Sequence, residues 1–308
     1  MKAVTIHAHG GAEVLQYENA PDPIVKAPDD VVVAIRAASL NAADVQVRSG
    51  RYAGPRVTLP RIPGRDFSGV VLEAGSGSDI LPGEEVYGVC PHTGEGSHAE
   101  RIAISSRLLG RKPPELSHAQ AAAIGLAGLT AMVALQDTLN LRVGERIFIQ
   151  GGAGGVGSMA LQLARHLGAF VATTAREVNH EYVKSLGANL AIDYTKDDPI
   201  RVIRDFDAAL DAVGGDRSVA QTFGVLKPGG RAAFIGSGMV APASPRADLV
   251  SLRPLVARSG ESMDRISALV RSGALVAPPI IEMPLSEARK AHELSESGKM
   301  RGKLVLVP

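Results

Sequence analysis

The chain has 308 residues, a length that suits two domains and allows a sizeable buried core. Lys and Arg together number 33 against 32 Asp and Glu, so the formal net charge is only +1. That balance lacks the basic excess needed to neutralise a phosphate backbone, and aromatic residues make up only 4% of the chain. We therefore expect that nucleic acid is not a main partner.

Cysteine use and hydropathy point to the compartment. Cys90 is the single cysteine, which excludes an internal disulfide and a multi-cysteine zinc knuckle and fits a reducing cytoplasm. His7 and His9 interrupt the apolar residues of the N-terminus, so no signal-peptide pattern is expected there. The long uncharged stretch Ala119 to Gln136 is rich in Ala and predicts a buried helix rather than a membrane span. The sequence predicts a soluble cytoplasmic protein without a membrane partner.

Short strand-like runs separated by Gly and Pro turns occupy the N-terminal third and predict a small barrel or sandwich. These runs are Ala3–Ile6, Asp30–Ser39, Phe67–Ala74, Glu85–Val89 and His98–Ile104.

From Ser117, the predicted N-cap of the Ala-rich helix, strands begin to alternate with helices. Such alternation is typical of a parallel, doubly wound sheet, so the fold class is α/β. The predicted strands are Arg146–Gln150, Phe170–Thr174, Leu190–Asp193, Ala208–Val213 and Arg231–Ile235, and the helices are Gly155–Leu167 and Val178–Leu186.

After about Ala247 the pattern loosens. Glu261–Ser272 and Ser286–Ser297 are predicted to be helical, and Lys303–Val307 a closing strand. The pattern alone allows this tail to belong to either domain.

A glycine motif carries the first functional signal. Gly152, Gly154 and Gly157 form a G-x-G-x-x-G pattern that follows an apolar strand and opens an amphipathic helix. Glycine permits the tight turn and the close approach of the backbone, while the helix N-terminus offers free N–H groups to a pyrophosphate. We predict a dinucleotide site here, although an ordinary glycine-rich turn is the simpler alternative.

The end of the next strand indicates which dinucleotide binds. An NAD site places an acidic residue about 20 positions after the motif, where it accepts from the ribose hydroxyls. This chain has Arg176 there, and Arg176 with Thr174 would attract a 2′-phosphate, so NADP(H) is predicted. The adjacent Glu177 could serve as the acid, and a solvated surface arginine is the other alternative.

Ordered motifs along the whole chain resemble the medium-chain dehydrogenase/reductase superfamily, in its zinc-free quinone oxidoreductase branch of zeta-crystallin-like proteins. The motifs are residues 38–44 (Ala-Ser-Leu-Asn-Ala-Ala-Asp), 63–69 (Pro-Gly-Arg-Asp-Phe-Ser-Gly), 96–100, 126–131, 151–158, 185–188, 192–194, 211–215, 226–230 and 302–306.

The resemblance implies a GroES-like barrel domain, residues 1–118 and 247–308, with a Rossmann domain, residues 119–246, inserted into it. It also implies a homodimer joined through the edges of the Rossmann sheets. Asn41 and Tyr52 would be catalytic, Asn41 near the reacting oxygen and Tyr52 as a hydroxyl donor, although a Tyr without a proton role is equally expected. The implied cofactor-binding residues are Asn41, Thr130, Gly152, Ala153, Gly154, Gly155, Val156, Gly157, Thr174, Arg176, Tyr194, Val213, Gly236, Ser237 and Lys303. A surface lysine is the alternative for Lys303.

No metal is expected. In the zinc dehydrogenases of the superfamily a Cys and a His-Glu pair ligate catalytic zinc, and Asn41 and Arg65-Asp66 stand at those positions here. Asn is a poor zinc ligand and Arg cannot ligate at all. Cys90 and His98, with His92, are ligand types close in sequence, but an accidental grouping is the better interpretation.

Reduction of an activated acceptor needs no Lewis acid, since positioning does most of the work. We therefore expect an enzyme, an NADPH-dependent reductase of quinones or α,β-unsaturated carbonyls (alkenals and enones). The first alternative is an NADPH-binding protein with a sensing, scaffolding or macromolecule-binding role and negligible turnover. The second is a metal-dependent alcohol dehydrogenase.

Overall fold

The part of the chain that the structure describes contains fifteen strands and eight α-helices, joined by turns. The computed structural model describes residues 1–52, 54, 57–91, 94–236, 238–298 and 300–308. The strands are β1 (Lys2–Ile6), β2 (Leu15–Asn19), β3 (Asp30–Leu40), β4 (Asp66–Ala74), β5 (Glu85–Val89), β6 (Arg101–Ser105), β7 (Leu109–Arg111), β8 (Arg146–Gln150), β9 (Phe170–Thr174), β10 (Leu190–Ile192), β11 (Phe206–Asp211), β12 (Leu226–Phe234), β13 (Val250–Leu252), β14 (Ile280–Pro284) and β15 (Lys303–Val307). The helices are α1 (Ala42–Ser49), α2 (His118–Met132), α3 (Gly155–His166), α4 (His180–Ser185), α5 (Pro199–Val202), α6 (Asp216–Gly224), α7 (Gly260–Arg271) and α8 (Ala288–Glu296).

The first of two compact units combines both chain ends: Met1–Leu126, Ala257–Gly273 and Ala277–Pro308. Its main sheet has the order β14-β15-β3-β4-β5-β7, with β6 paired to β3, and β1 and β2 form a separate antiparallel pair. β15 pairs with β3, so the last strand of the chain lies in the same sheet as the N-terminal strands. The β-rich part of the predicted fold class is confirmed.

One predicted strand starts late. The prediction began it at His98, but β6 begins at Arg101. The reason is local, because the backbone N–H groups of Gly96 and His98 donate to the carbonyls of Ile62 and Pro63 rather than to a neighbouring strand of the sheet. His98 is thereby fully buried.

The second unit, Ala127–Val256 with Ala274–Val276, contains six parallel strands in the order β10-β9-β8-β11-β12-β13. Parallel strands covered on both faces are nearly continuous apolar runs, as β8 is. Phe148, Phe206 and Phe234 lie in its core. The strand order reverses between β8 and β11, and ligands of doubly wound sheets bind at that point, outside the carboxyl ends of the strands.

The change from the first unit to the second falls inside α2, between Leu126 and Ala127. The return falls between Val256 and Ala257. The domain limits implied by the resemblance, at residues 118/119 and 246/247, stay a prediction, since these bounds describe compact units only.

Among the described residues one helix is long and apolar enough to cross a membrane. It is α2 with its π-helical continuation, His118–Thr138, 21 residues long with a mean hydropathy of 1.5. Since 78% of its apolar window is buried inside the protein, it is weak evidence for a membrane span. Ser117, the predicted N-cap of α2, makes the hydrogen bond of an N-cap residue: its hydroxyl accepts from Gln120 N–H at 3.2 Å.

Candidate functional site

The predicted phosphate-binding turn joins β8 to α3. Gly151 has a φ of 76°, and Gly154 is the N-cap of α3. A Cβ atom on Gly157 would lie 2.1 Å from the Gly151 carbonyl oxygen, so only glycine allows the helix to approach the turn this closely. The first N–H groups of α3 form the positive end of the helix beside the turn. These residues fit a pyrophosphate.

Thr174, at the end of β9, holds this turn in place. Its hydroxyl accepts from Gly151 N–H at 2.9 Å and donates to Gln150 Oε1 at 3.2 Å. Its carbonyl accepts from Gly152 N–H at 3.1 Å, and the side chain is buried. The structure thus gives Thr174 a positioning role, while its direct contact with a 2′-phosphate stays a prediction.

Arg176 and Tyr194 follow the carboxyl ends of two neighbouring strands, β9 and β10, which pair in parallel. Arg176 is half-buried and the Tyr194 side chain is 43% exposed. Glu177, the alternative acid, is ion-paired with Lys196 Nζ at 2.5 Å, and this hydrogen bond lowers the pKa of its carboxyl. The pairing of Glu177 leaves Arg176 as the better candidate for the ribose edge.

The loops after β11 and β12 approach each other without side chains between them. A Cβ on Gly214 would lie 2.4 Å from the Gly236 carbonyl oxygen. Asp211, missed by the sequence analysis, is buried and its Oδ1 accepts from the N–H groups of Val213 and Gly214, both at 2.9 Å. The signal for it was a carboxylate at a strand end just before Gly214-Gly215. The predicted Ser237 lies outside the described residues.

The remaining predicted cofactor residues of the second unit are partly accessible. Ala153 lies in the turn, and Gly155 and Val156 begin α3. Thr130 lies half-buried in α2. Their contacts with a cofactor stay predictions.

Asn41 and Lys303 meet in the first unit. The Lys303 ammonium donates to Asn41 Oδ1 at 2.5 Å and to the Leu40 carbonyl at 3.0 Å. Lys303 is 4% exposed, so the alternative of a surface lysine is wrong. Burial lowers the pKa of Lys303, and the charges of Asp66 and Asp44 oppose that shift. A contact of Lys303 with cofactor phosphate stays a prediction.

Asp66 holds the other end of the Asn41 amide. Its Oδ1 accepts from Asn41 Nδ2 at 2.8 Å and from the Ser39 hydroxyl at 2.6 Å, and its Oδ2 accepts from Leu126 N–H at 2.8 Å. Asp66 is fully buried. The sequence analysis assigned no role to Asp66 or Ser39, because partners on separate strands leave no local signal.

Helix α1 was not predicted, although its start has a recognisable pattern. Asn41 is its N-cap, and Asn41 N–H donates to Asp44 Oδ2 at 2.8 Å in a capping box. The spacing Asn41-x-x-Asp44 could have predicted this helix. Asp44 is 1% exposed, and burial raises its pKa against the opposing charges of His98 and Arg65.

Tyr52 lies half-buried against a charged neighbour. The Arg65 guanidinium carbon lies 5.0 Å from the centroid of the Tyr52 ring, a cation–π distance. Arg65 is only 2% exposed. The ring of Tyr52 therefore has a structural partner, and a proton-donor role for its hydroxyl stays a prediction.

A buried basic cluster fixes the far end of α1. Arg48 donates to both Glu296 carboxylate oxygens at 2.9 Å, and its Nη1 lies 3.2 Å from His292 Nδ1. Burial, then the charges of His98 and Arg48, lower the pKa of His292 to about 2. The imidazole is therefore neutral and accepts from Arg48, and the cluster ties the C-terminal end of α1 to α8.

The zinc-ligand positions of the superfamily carry the polar groups just described, Asn41 and Arg65-Asp66. Among the described residues no group of three or more His, Cys, Asp or Glu side chains could hold a metal ion. Cys90 is buried, and burial raises the pKa of its thiol to about 12. The proposed companion His92 lies outside the described residues.

Comparison with known proteins defines the class. Residues 27–143 match the family model of the alcohol dehydrogenase GroES-like domain. Residues 186–306 match the family model of the zinc-binding dehydrogenase. With the glycine turn and the parallel sheet, these matches define a two-domain dehydrogenase/reductase.

Relatives along the full chain narrow that class. An NADPH-dependent alkenal/one oxidoreductase of Arabidopsis thaliana is 36% identical, over 100% of this chain and 80% of the relative. A 2-methylene-furan-3-one reductase of Solanum lycopersicum is 35% identical, over 100% of this chain and 79% of the relative. The Escherichia coli quinone oxidoreductase complexed with NADPH superposes with a TM-score of 0.91 at 27% identity, covering 100% of both chains. The chain belongs to the medium-chain dehydrogenase/reductase superfamily, within its group of quinone and alkenal/enone oxidoreductases.

Proposed function

We propose that this protein is an NADPH-dependent reductase that transfers a hydride to quinones or to α,β-unsaturated carbonyl compounds, without zinc. The observation that carries the proposal is the Gly151–Gly157 turn, whose glycines let α3 begin tightly against the turn, so that its first N–H groups are offered to a pyrophosphate. The full-length likeness to NADPH-dependent alkenal/one and quinone oxidoreductases supports the acceptor class. The bound cofactor supplies the hydride, and the chain supplies binding and orientation.

The second unit binds the cofactor in this proposal. The turn and the N-terminus of α3 hold the pyrophosphate, and Arg176 meets the 2′-phosphate. Lys196 partly neutralises the charge of Glu177, so this carboxylate opposes a 2′-phosphate less. Gly236, whose missing side chain lets the loops after β11 and β12 meet, contacts the nicotinamide end of the cofactor in this proposal.

Asn41 orients the acceptor in the first unit. Asp66 and Lys303 fix the two ends of its amide, so the side chain cannot rotate without losing a hydrogen bond. The second N–H of Asn41 Nδ2 has only long contacts to Ser39, at 3.4 and 3.5 Å. We propose that this N–H donates to the acceptor oxygen, and that the adjacent Lys303 ammonium stabilises the negative charge that develops there.

We also propose a homodimer joined through β13, the edge strand of the six-stranded sheet. Unpaired sheet edges favour association, and exposed apolar side chains lie in and near this one: Val240 (77% exposed), Val250 (49%) and Leu255 (84%). Light scattering after size-exclusion chromatography tests this, and Val250→Lys should shift a dimer to monomer.

A cytoplasmic location without nucleic-acid or membrane partners also stays our proposal. It is supported by the net charge of +1 and the single cysteine. Imaging of the tagged protein in its own cell tests it.

An acceptor screen tests the reductase. NADPH oxidation is followed at 340 nm with quinones, alkenals and enones, with NADH in place of NADPH as the control. We expect turnover of at least one acceptor class and a clear preference for NADPH. Tight NADPH binding without turnover across the panel would favour the sensing or scaffolding role. Stoichiometric zinc with chelator-sensitive activity would favour the metal-dependent dehydrogenase.

A further inference from the structure

Arg65 is a buried cation whose donors are not filled. It is 2% exposed, and neither Nη1 nor Nη2 has a hydrogen-bond partner among the described residues. Asp44 Oδ1 lies 4.0 Å from Arg65 Nε, beyond hydrogen-bond distance. A guanidinium stays charged in proteins, and leaving its donors unmet in the interior is costly. Such a group is stabilised when a ligand supplies the missing acceptors.

Two further arginines strengthen the positive potential around Arg65. Arg61 is 8% exposed, and Arg258 is half-buried just before α7. Burial, and next the charge of Arg65, lower the pKa of Arg258 to about 10. The same two causes, in the same order, lower the pKa of Arg61. The positive charge of Arg65 therefore acts both on Arg61, in the same segment, and on Arg258, from a distant part of the chain.

The neighbouring carboxylates are occupied by other donors. Asp44 caps α1, and Asp66 accepts from Ser39, Asn41 and Leu126. Glu95 Oε2 accepts the Ile62 N–H at 2.8 Å.

The ring of Tyr52 shapes the site. It lies 5.0 Å from the Arg65 guanidinium carbon and forms an aromatic wall beside the two unpartnered Nη atoms. An anion here would meet a flat ring and a bidentate donor pair. Two parallel N–H donors match the two oxygens of a carboxylate.

We infer that Arg65, supported by Arg61 and Arg258, binds a substrate carboxylate. The preferred acceptor is then an α,β-unsaturated carbonyl compound with a carboxylate several bonds from the reacting double bond. The inference rests on the proposed reductase function and specifies its substrate class. Arg65 acts on specificity in this scheme, since Asn41 orients the reacting oxygen.

A matched substrate pair tests the inference: 6-oxohept-4-enoic acid and its methyl ester, which differ in charge but share the enone. We expect the wild-type kcat/KM to be about 10- to 100-fold higher for the acid, mainly through KM, as a charge-assisted bidentate pair provides. Arg65→Met should abolish this ratio, and Arg65→Lys should restore part of it. The control Arg107→Met removes an equal charge from a side chain that is 82% exposed, and it should keep the wild-type ratio.

The outcomes separate the two proposals. Equal kcat/KM for acid and ester in the wild type overturns the carboxylate site and leaves the reductase intact. An equal loss for both compounds in Arg65→Met also overturns it, because the guanidinium would then act on the reacting oxygen or on the fold. If no acceptor is turned over, the reductase has failed, and calorimetry with 6-oxoheptanoate and its methyl ester still decides the site. If Arg65→Met does not fold, the ratio of kcat/KM for the acid to that for the ester is compared between the wild type and Arg65→Lys, and an unchanged ratio overturns the carboxylate site.

Discussion

Two regions are suited to anions: the Gly151–Gly157 turn and the group of Arg65, Arg61, Arg258 and Tyr52, which we call the Arg65 cluster. They are built differently. The turn is one contiguous segment that offers backbone N–H groups, and its shape depends on the absence of side chains. The cluster consists of charged side chains from stretches far apart in sequence, with Tyr52 and Arg65 near one end of the chain and Arg258 near the other. A contiguous backbone site is fixed by local residue types, whereas a side-chain site depends on the tertiary fold that brings its members together.

The largest effect is expected where the backbone site is most crowded. In Gly157→Ala the new Cβ would lie 2.1 Å from the Gly151 carbonyl oxygen. This atom belongs to the backbone, which cannot move aside as a flexible side chain can. We expect unfolding free energy to fall by about 3 kcal/mol or more, with loss of NADPH binding. Denaturant unfolding and NADPH fluorescence titration measure both.

Gly154→Ala is the matched control for the fold. Its Cβ would contact only the Gly151 carbonyl oxygen, at 3.4 Å, and its φ of −79° suits any residue. It should cost less than about 1 kcal/mol of stability. Equal destabilisation by both substitutions would show that crowding does not define the turn.

Arg176→Asp tests whether a side chain adds selectivity to the backbone site. Replacing the cation by an anion should weaken NADPH binding about 10- to 100-fold and leave NADH binding little changed. Isothermal titration with both cofactors measures the selectivity. Arg201→Asp, the same charge change at an exposed position of α5, serves as control. An equal change for NADPH and NADH would remove the argument for a 2′-phosphate contact.

Acid should lower the stability of the first unit through His292, the buried histidine that contacts Arg48. Burial lowers its pKa from 6.5 to about 2, so between these values the unfolded chain binds a proton that the folded chain does not. The free energy of unfolding therefore falls as the pH drops below about 6.5, by about 2 kcal/mol for this group between pH 7 and pH 5. Chemical denaturation across this range measures the slope.

His292→Gln provides the reference for that slope, because Gln is neutral and can still accept from Arg48. The variant should lose less stability than the wild type on acidification. His98, whose pKa burial also lowers, is present in both proteins, so the comparison removes its contribution apart from its coupling to His292. Parallel pH profiles would contradict the assignment to His292.

The smallest effect is expected at Tyr52, where ring and hydroxyl can be separated. If the ring supports Arg65, Tyr52→Leu should lower kcat/KM about 2- to 10-fold, more than Tyr52→Phe does, since only the former removes the cation–π contact. If instead the hydroxyl donates the proton, both variants should lose about 100-fold or more in kcat, because both lack it. Steady-state kinetics of the two variants distinguish these cases.

Much of the fold could be predicted from the sequence where a strand is bounded by turn residues. Four predicted strands have the observed bounds, Glu85–Val89, Arg146–Gln150, Phe170–Thr174 and Lys303–Val307. The edge strand β14 was missed because its pattern is weak and its partner β15 supplies the pairing. Helix α1 was missed although its capping pattern was present.

The site was predictable to the extent that it is local. The glycine turn and Arg176 follow from spacing along one strand–helix–strand unit. The contact of Lys303 with Asn41 joins positions 262 apart, and the charge of Arg65 acts on Arg258, which comes much later in the chain. Only the folded structure shows these, because no local pattern records which distant side chains share the interior.

The position of Lys303 has a consequence for synthesis. Lys303 begins β15, and its contact with Asn41 joins positions 262 apart. During synthesis this contact forms only after β15 has been made, although the intervening parallel sheet can fold earlier. A chain whose synthesis stops before β15 would lack both the ammonium that fixes Asn41 and the strand that pairs with β3 and β14.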